Sequence, residues 1–190
     1  PSVYGQSNRT FYRDGKDVAV YNNDFYYQKI EEEILDRLGS NKNQRSVIVF
    51  FETKEKLYKF LAAYQKSKIP QWLKEEEHLN IMTEENTTKE KNAIVKRATL
   101  SGQITFAVRE FGRGTDFVCR DQTVNSNGGV HVLQTFLSEE ISEEVQIMGR
   151  TARQGDKGTY SLILLDTELE KFLISKKEID ERQLTGKLYS

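Results

Sequence analysis

Short runs of uninterrupted apolar residues alternate along this chain with longer amphipathic stretches. Val47-Ile48-Val49-Phe50-Phe51 is apolar at every position, the pattern of a parallel strand covered on both faces. Similar runs predict strands at 18–21, 79–82, 104–108, 130–133 and 160–165. Between them the periodicity predicts helices at about 24–38, 54–66, 88–100, 139–149 and 168–176. Helix starts are marked by side chains that accept hydrogen bonds from the first free amides. Asn23-Asp24 can cap the first helix and Thr53 the second, while Thr87-x-x-Glu90 and Thr167-x-x-Glu170 have the spacing of capping boxes. Strand–helix alternation of this kind predicts an α/β domain, a three-layer arrangement with a mainly parallel sheet flanked by helices and right-handed crossovers. In such sheets ligands collect beyond the carboxyl ends of the strands.

The 190 residues fit one domain of ordinary size. Hydrophobic residues are 37% and charged residues 30%, so the chain reads as globular with a thickly charged surface. The expected divisions are a linker at 1–16, the domain at 17–176, and an extension or the start of a further segment at 177–190. The start at Pro1, without a leader, suggests an excised domain. No apolar run approaches a membrane span. One cysteine, Cys119, excludes an internal disulfide and suits a reducing, cytoplasmic setting, and the spacing of His78 and His131 is not that of a zinc site. The run Lys74-Glu75-Glu76-Glu77 is expected to be a solvated helical face, and Trp72, beside Pro70, a core plug.

Chemistry concentrates in two glycine–arginine clusters, Phe111-Gly112-Arg113-Gly114-Thr115-Asp116 and Gln146-Ile147-Met148-Gly149-Arg150-Thr151-Ala152-Arg153-Gln154-Gly155. Glycine lets the main chain approach a phosphate without a Cβ, and arginine offers a permanently charged donor fork. Read as a helix, Gln146, Arg150 and Arg153 fall at i, i+4 and i+7 on one face, roughly opposite Ile141, Val145 and Met148. The competing reading of the arginines is dipole compensation at a helix end closed by glycine; for Asp116 it is a turn-capping aspartate.

The second cluster resembles motif VI of superfamily-2 helicases, in the form found in SecA, the preprotein-translocating ATPase, and 111–116 resembles the SecA motif V. Gly128-Gly129-Val130-His131-Val132-Leu133 is similar to the strand before motif VI, and Ser7-Asn8-Arg9 to the segment joining the two SecA motor domains. The resemblance covers roughly Gln6 to Phe172. It implies a RecA-like fold, the second of two domains that sandwich ATP with Mg2+. Arg150 and Arg153 would then reach the γ-phosphate as arginine fingers, while Gly112, Arg113, Gly114, Thr115, Asp116, Gln146 and Gln154 would face the nucleotide. The implied partner is an N-terminal RecA-like domain of the same polypeptide, with a polypeptide as a possible substrate. The chain has no Gly-x-x-x-x-Gly-Lys-Ser/Thr; Gly186-Lys187 lacks its upstream glycine and following hydroxyl. It therefore carries the arginine half of an ATP site, with no metal ligands expected, and by itself should not turn over ATP.

Departures from the SecA pattern are specific. Glu139, Glu140, Glu143 and Glu144 stand where SecA has a basic stretch, Ala152 replaces the glycine between the motif VI arginines, and Phe111 replaces the alanine before Gly112. Two other readings compete: the C-terminal domain of an RNA or DNA helicase, and a degenerate RecA-like module kept as a docking scaffold. Net charge is −1, which supplies little attraction for a phosphate backbone. The isolated chain is therefore expected to bind single-stranded RNA and duplex DNA weakly. Fluorescence anisotropy at moderate salt measures this, and submicromolar binding with a steep salt slope would favour the nucleic-acid helicase reading.

Overall fold

The computed structural model describes residues 9–13, 16–39, 44–137 and 158–189. The chain runs β1 (Arg9–Arg13), β2 (Lys16–Tyr21), α1 (Asn23–Leu38), β3 (Val47–Phe51), α2 (Lys54–Lys66), a 3-10 turn (Gln71–Lys74), β4 (Leu79–Met82) and α3 (Thr88–Ala98). It continues through β5 (Ile104–Val108), α4 (Glu110–Gly114), α5 (Gln122–Ser126), β6 (Val130–Gln134), β7 (Gly158–Leu165) and α6 (Asp166–Tyr189). The strands form one seven-stranded sheet in the order β1-β2-β7-β6-β3-β5-β4. β1 is antiparallel to β2, and every other pairing is parallel. This is the expected three-layer α/β architecture with a RecA-like strand order.

Alternation along the strands builds the layers. Ile48, Phe50, Val132, Leu162 and Leu164 point into one core with Ile94 and Ala98 of α3, Val124 of α5 and Leu169 of α6. Val47, Val49, Phe51, Phe106 and Ile163 point the other way, against Ile30 and Ile34 of α1 and Leu57, Phe60 and Tyr64 of α2. Successive strand side chains face opposite sides, so a run apolar at every position must be covered twice. Phe51, Phe60, Tyr64 and Phe106 meet in tilted and edge-to-face pairs with centroids 5.1–5.9 Å apart, the geometry that aligns ring edges with ring faces.

The helix starts test the capping expectations. The Thr53 hydroxyl accepts from the Lys56 amide at 3.2 Å and that of Thr87 from the Glu90 amide at 3.2 Å. At α1 the first turn hangs on the Asn22 carbonyl, which accepts from Phe25 and Tyr26, so the cap lies one residue before Asn23-Asp24. α6 starts at Asp166, whose carboxylate accepts from the Thr167 amide at 2.7 Å. Thr167 therefore sits inside the first turn, and the helix runs on to Tyr189 instead of ending near 176. The region 109–116, for which the periodicity predicts neither strand nor helix, carries the one-turn helix α4. Lys74–Glu77 is solvated as expected, but as the end of the 3-10 turn and a following turn. The buried plug there is Leu73; Trp72 is half-buried with its ring edge-on to His78 at 4.7 Å. The predicted helix 139–149 lies outside the described residues.

At the amino edge of the sheet a buried polar network joins α1, β3, β6 and β7. Gly128 and Gly129 have φ of 112° and 82°, and their carbonyls accept from Arg45 at 3.2 and 2.7 Å. Arg45 also donates to the Thr159 hydroxyl at 2.6 Å. His131, fully buried, lies with Nδ1 2.7 Å from that hydroxyl and Nε2 2.9 Å from the Ser161 hydroxyl and 3.2 Å from a Glu33 oxygen. These partners are satisfied together if Thr159 donates to Nδ1 and the ring carries its proton on Nε2. Burial pushes His131 down to about 4, and the nearby Arg37 and Arg45 charges act in the same direction. Burial works against the Glu33 carboxylate, yet the hydrogen bond from His131 and the Arg37 guanidinium hold it well below the ordinary carboxylate range. The arrangement is a neutral histidine donating to an anionic carboxylate.

Two predictions arise here. Between pH 6.5 and about 4 the unfolded chain protonates His131 while the folded chain does not, so stability falls as pH falls through this window. The loss between pH 7 and pH 5 is about 2 kcal/mol. Urea unfolding should show it in the wild type and lose it in His131→Gln. Separately, a Cβ on Gly128 would sit 3.3 Å from Arg45 Cζ at a positive φ, whereas one on Gly114 would meet nothing within 4 Å. Gly128→Ala should therefore cost about 1–3 kcal/mol and Gly114→Ala less than about 0.5 kcal/mol by thermal or urea unfolding.

Candidate functional site at the carboxyl edge of the sheet

β3, β5 and β6 all release their chains at one edge. The end of β6 is fastened tightly. The Thr135 amide and hydroxyl both donate to the Phe50 carbonyl, at 3.1 and 2.8 Å. The Tyr26 hydroxyl donates to the Thr135 carbonyl at 2.5 Å. Gln134, fully buried, donates to the Phe136 carbonyl at 2.6 Å and accepts from the Tyr160 hydroxyl at 2.8 Å. Each bond closes a polar group that would otherwise be left unpaired at the top of an apolar core. Burial raises the Tyr26 hydroxyl far above the ordinary tyrosine range, so it acts as a fixed donor.

Directly behind this corner lies a cavity of about 440 Å³, between the start of α1, the start of α2 and the first turns of α6. Its walls include Tyr26, Tyr27, Phe51, Phe136 and Phe172, and its charged lining is Glu52, Lys56, Lys59, Arg109, Glu168 and Lys171. Lys56 reaches Glu52 at 3.3 Å and Glu168 at 3.5 Å. The Arg109 guanidinium stands over the Phe136 ring, 5.0 Å from its centroid.

The first glycine–arginine cluster follows Arg109 at this same edge. Phe111 packs into both core layers, and Lys91 stands over its ring at 5.3 Å. This gives the aromatic at 111 a packing role in holding α4. Gly112 is buried and its amide donates to the Arg109 carbonyl at 3.0 Å. Gly114 and Asp116 are exposed and Thr115 half-exposed. The backbone of α4 ends in the open, with no atom within 4 Å of where a Gly114 side chain would begin. That leaves the main chain accessible to a ligand or a facing domain. Gly112, Gly114, Thr115 and Asp116 lie beside the cavity's Arg109 without lining the cavity. The side chain of Arg113, and the whole of Gln146, Arg150, Arg153 and Gln154, lie outside the described residues.

Sequence reasoning did not single out Tyr26, Gln134, Thr135 or Tyr160. The available signal was position: Gln134-Thr135 closes a strand at its carboxyl end, where polar residues need a reason to be buried. Among the described residues no group of three or more potential metal ligands occurs, and no helix is long and apolar enough to cross a membrane.

The chain is similar to known proteins in sequence and in fold. The SecA 2 protein translocase subunit of Chlorobium chlorochromatii is 44% identical over 106 residues, covering 52% of this chain and 16% of that protein. SecA 2 of Bacillus anthracis is 28% identical over 178 residues, covering 92% of this chain and 21% of that protein. The chain thus spans about a fifth or less of these relatives. Among solved structures, the C-terminal domain of the DEAD-box protein Dbp5 superposes with a TM-score of 0.51 at 18% identity, over 83% of this chain and 79% of that one. The C-terminal part of the Fun30 ATPase domain gives 0.52 at 14% identity, over 77% and 44%. Residues 27–155 match the family described as the helicase conserved C-terminal domain. With a parallel sheet of RecA-like order, cluster 111–116 at its carboxyl edge, and SecA 2 among its relatives, this chain belongs to the helicase conserved C-terminal domain family.

Proposed function

We propose that this domain is the second motor domain of a SecA-like ATPase, contributing motif V and the motif VI arginines to an ATP site completed by a first RecA-like domain of the same polypeptide. The observation that carries the reading is the accessible Gly114–Asp116 segment, which ends α4 just beyond β5 at the sheet edge where α/β domains collect ligands. Its open main chain at Gly114 suits a triphosphate, since no side chain blocks close approach. Bound ATP with Mg2+ would supply a γ-phosphoryl group for transfer to water.

The roles of this chain's residues follow from their chemistry. Arg150 and Arg153, one helical turn apart in the sequence pattern, offset charge on the phosphoryl oxygens as arginine fingers. Thr115 and Asp116 contact the nucleotide or relay its state, Gly112, Arg113 and Gly114 form the backbone approach, and Gln146 and Gln154 orient phosphate contacts. Work on a polypeptide substrate, as in protein translocation, is the use suggested by the SecA 2 relatives.

In the full-length protein, Arg150→Ala and Arg153→Ala should each lower ATP turnover by on the order of 10³-fold at unchanged melting temperature. Steady-state phosphate release and thermal unfolding on the same variants measure both quantities. Arginines that only compensate a helix dipole would instead cost about 0.3–1 kcal/mol of stability and leave turnover unchanged. That result would leave a RecA-like docking module. Turnover stimulated by RNA or DNA instead of polypeptide would favour the helicase alternative.

A further inference from the structure

The amino edge of the sheet, opposite motif V, carries two charge clusters side by side. Gln103, at the entrance to β5, joins them. Its Nε2 donates to the Glu77 carbonyl at 2.7 Å and its amide to the Leu100 carbonyl at 3.2 Å. On one side stand Glu75, Glu76 and Glu77, all exposed. On the other stand Lys96 and Arg97, in the last turn of α3, and Arg120, again all exposed. The loop after α3 draws the Arg120 segment in. The Thr99 hydroxyl donates to the Val118 carbonyl at 3.3 Å, and the Ser101 amide and hydroxyl donate to Asp121 at 3.0 and 3.1 Å.

None of these six charged side chains makes an ion pair or hydrogen bond among the described residues. The neighbouring counter-charges are spent elsewhere. Asp121 also accepts from the Thr123 and Val124 amides at the start of α5, and Lys74 donates to the Ser67 carbonyl at 2.7 Å. The dipole of α3 accounts for Lys96 and Arg97 at its carboxyl end, but not for Arg120. Apolar groups accompany the charges: Leu100 is 45% exposed and Val118 53%. Trp72 is half-buried with its ring against His78, whose Nδ1 lies 3.2 Å from the Gly102 carbonyl.

A surface positive on one side and negative on the other becomes complementary to itself after a half-turn. Two copies facing each other this way set every cation cluster on the opposing carboxylates, and that pairing fixes their register. We propose that this edge is a two-fold interface with a second copy of the chain, in which Lys96, Arg97 and Arg120 of each copy meet the glutamate run of the other. The carboxyl edge, with motif V, stays open in such a pair. Exposed ion pairs contribute little each, so the dimer is weak and salt-sensitive.

The test is sedimentation velocity on the 190-residue chain at about 0.05 M salt, where a dimer with a dissociation constant on the order of 100 µM is expected. Salt at about 1 M shortens the Debye length to about 3 Å and should weaken it tenfold or more. Arg97→Glu/Arg120→Glu and Glu75→Lys/Glu77→Lys each leave a surface mostly of one sign, and thermal unfolding verifies that both variants fold. Each alone should dimerise about tenfold or more weakly, whereas their equimolar mixture should pair at least as tightly as the unaltered chain. Lys171→Glu/Lys177→Glu, on α6, changes net charge as much as the arginine variant and should shift dimerisation by less than about threefold. Monomers throughout, indifference to salt, growth beyond dimers, equal loss in the α6 variant, or a mixture that fails to pair would each overturn the proposal.

Discussion

Strand β3 lies inside the sheet with parallel neighbours on both sides and none of its five residues more than 2% exposed. Ile48 and Phe50 fill one layer while Val47, Val49 and Phe51 fill the other. Because successive side chains face opposite sides, a strand of this kind cannot shift register by one residue without exchanging its two sets of contacts. That constraint fixes where β5 and β6 end relative to it. It also fixes where Arg109 and Thr135 emerge at the carboxyl edge. Close packing around the Phe51–Phe60–Tyr64–Phe106 rings makes the arrangement stiff.

The two edges of the sheet are closed by different physics. At the amino edge the chain turns through two glycines of positive φ, and the exposed carbonyls are taken up by Arg45. The buried charge of that arginine is tolerated because its Nε and Nη2 donate to three oxygens and Glu33 stands nearby in the His131 network. At the carboxyl edge the corner itself is closed by neutral groups. Neutral hydroxyl and amide groups of Tyr26, Thr135, Gln134 and Tyr160 bind the end of β6, and the charges stand farther out, around the cavity and beside α4. A neutral, fully satisfied corner holds the backbone still while leaving charged groups accessible to a ligand.

Six of the seven strands and three of the helices were legible in the sequence because their signals are local; β1 (Arg9–Arg13) lies in the stretch expected as a linker and is a strand through its antiparallel pairing with β2. The apolar run 47–51 and the caps Thr53 and Thr87 act over a few residues, and the structure places β3, α2 and α3 accordingly. Boundaries read from one signal alone moved. α1 begins on the Asn22 carbonyl and α6 on Asp166, because the chain's exit from β2 and β7 decides where a helix can start. The cluster 111–116 was legible as chemistry, and its position beyond β5 followed from the fold. That it forms a helical turn was not, since Gly112 and Gly114 argue against helix locally and Phe111 anchors the turn through contacts with both layers.

What the sequence determined by itself was the class of fold, the order of six strands and the helices α1, α2 and α3 among them, and the two glycine–arginine clusters, all of which depend on periodicity or near-neighbour chemistry. Only the tertiary structure decided the sites that join distant residues. Tyr26 meets Thr135 across 109 positions, Glu33 meets Ser161 across 128, and Arg45 meets Thr159 across 114. The cavity likewise draws its lining from α1, the end of β3, α2, the segment after β6, the end of β7 and α6. No local pattern marks such partners, because each residue taken alone is an ordinary surface or helix residue. They become a network only when the parallel crossovers bring their elements to the same edge of the sheet.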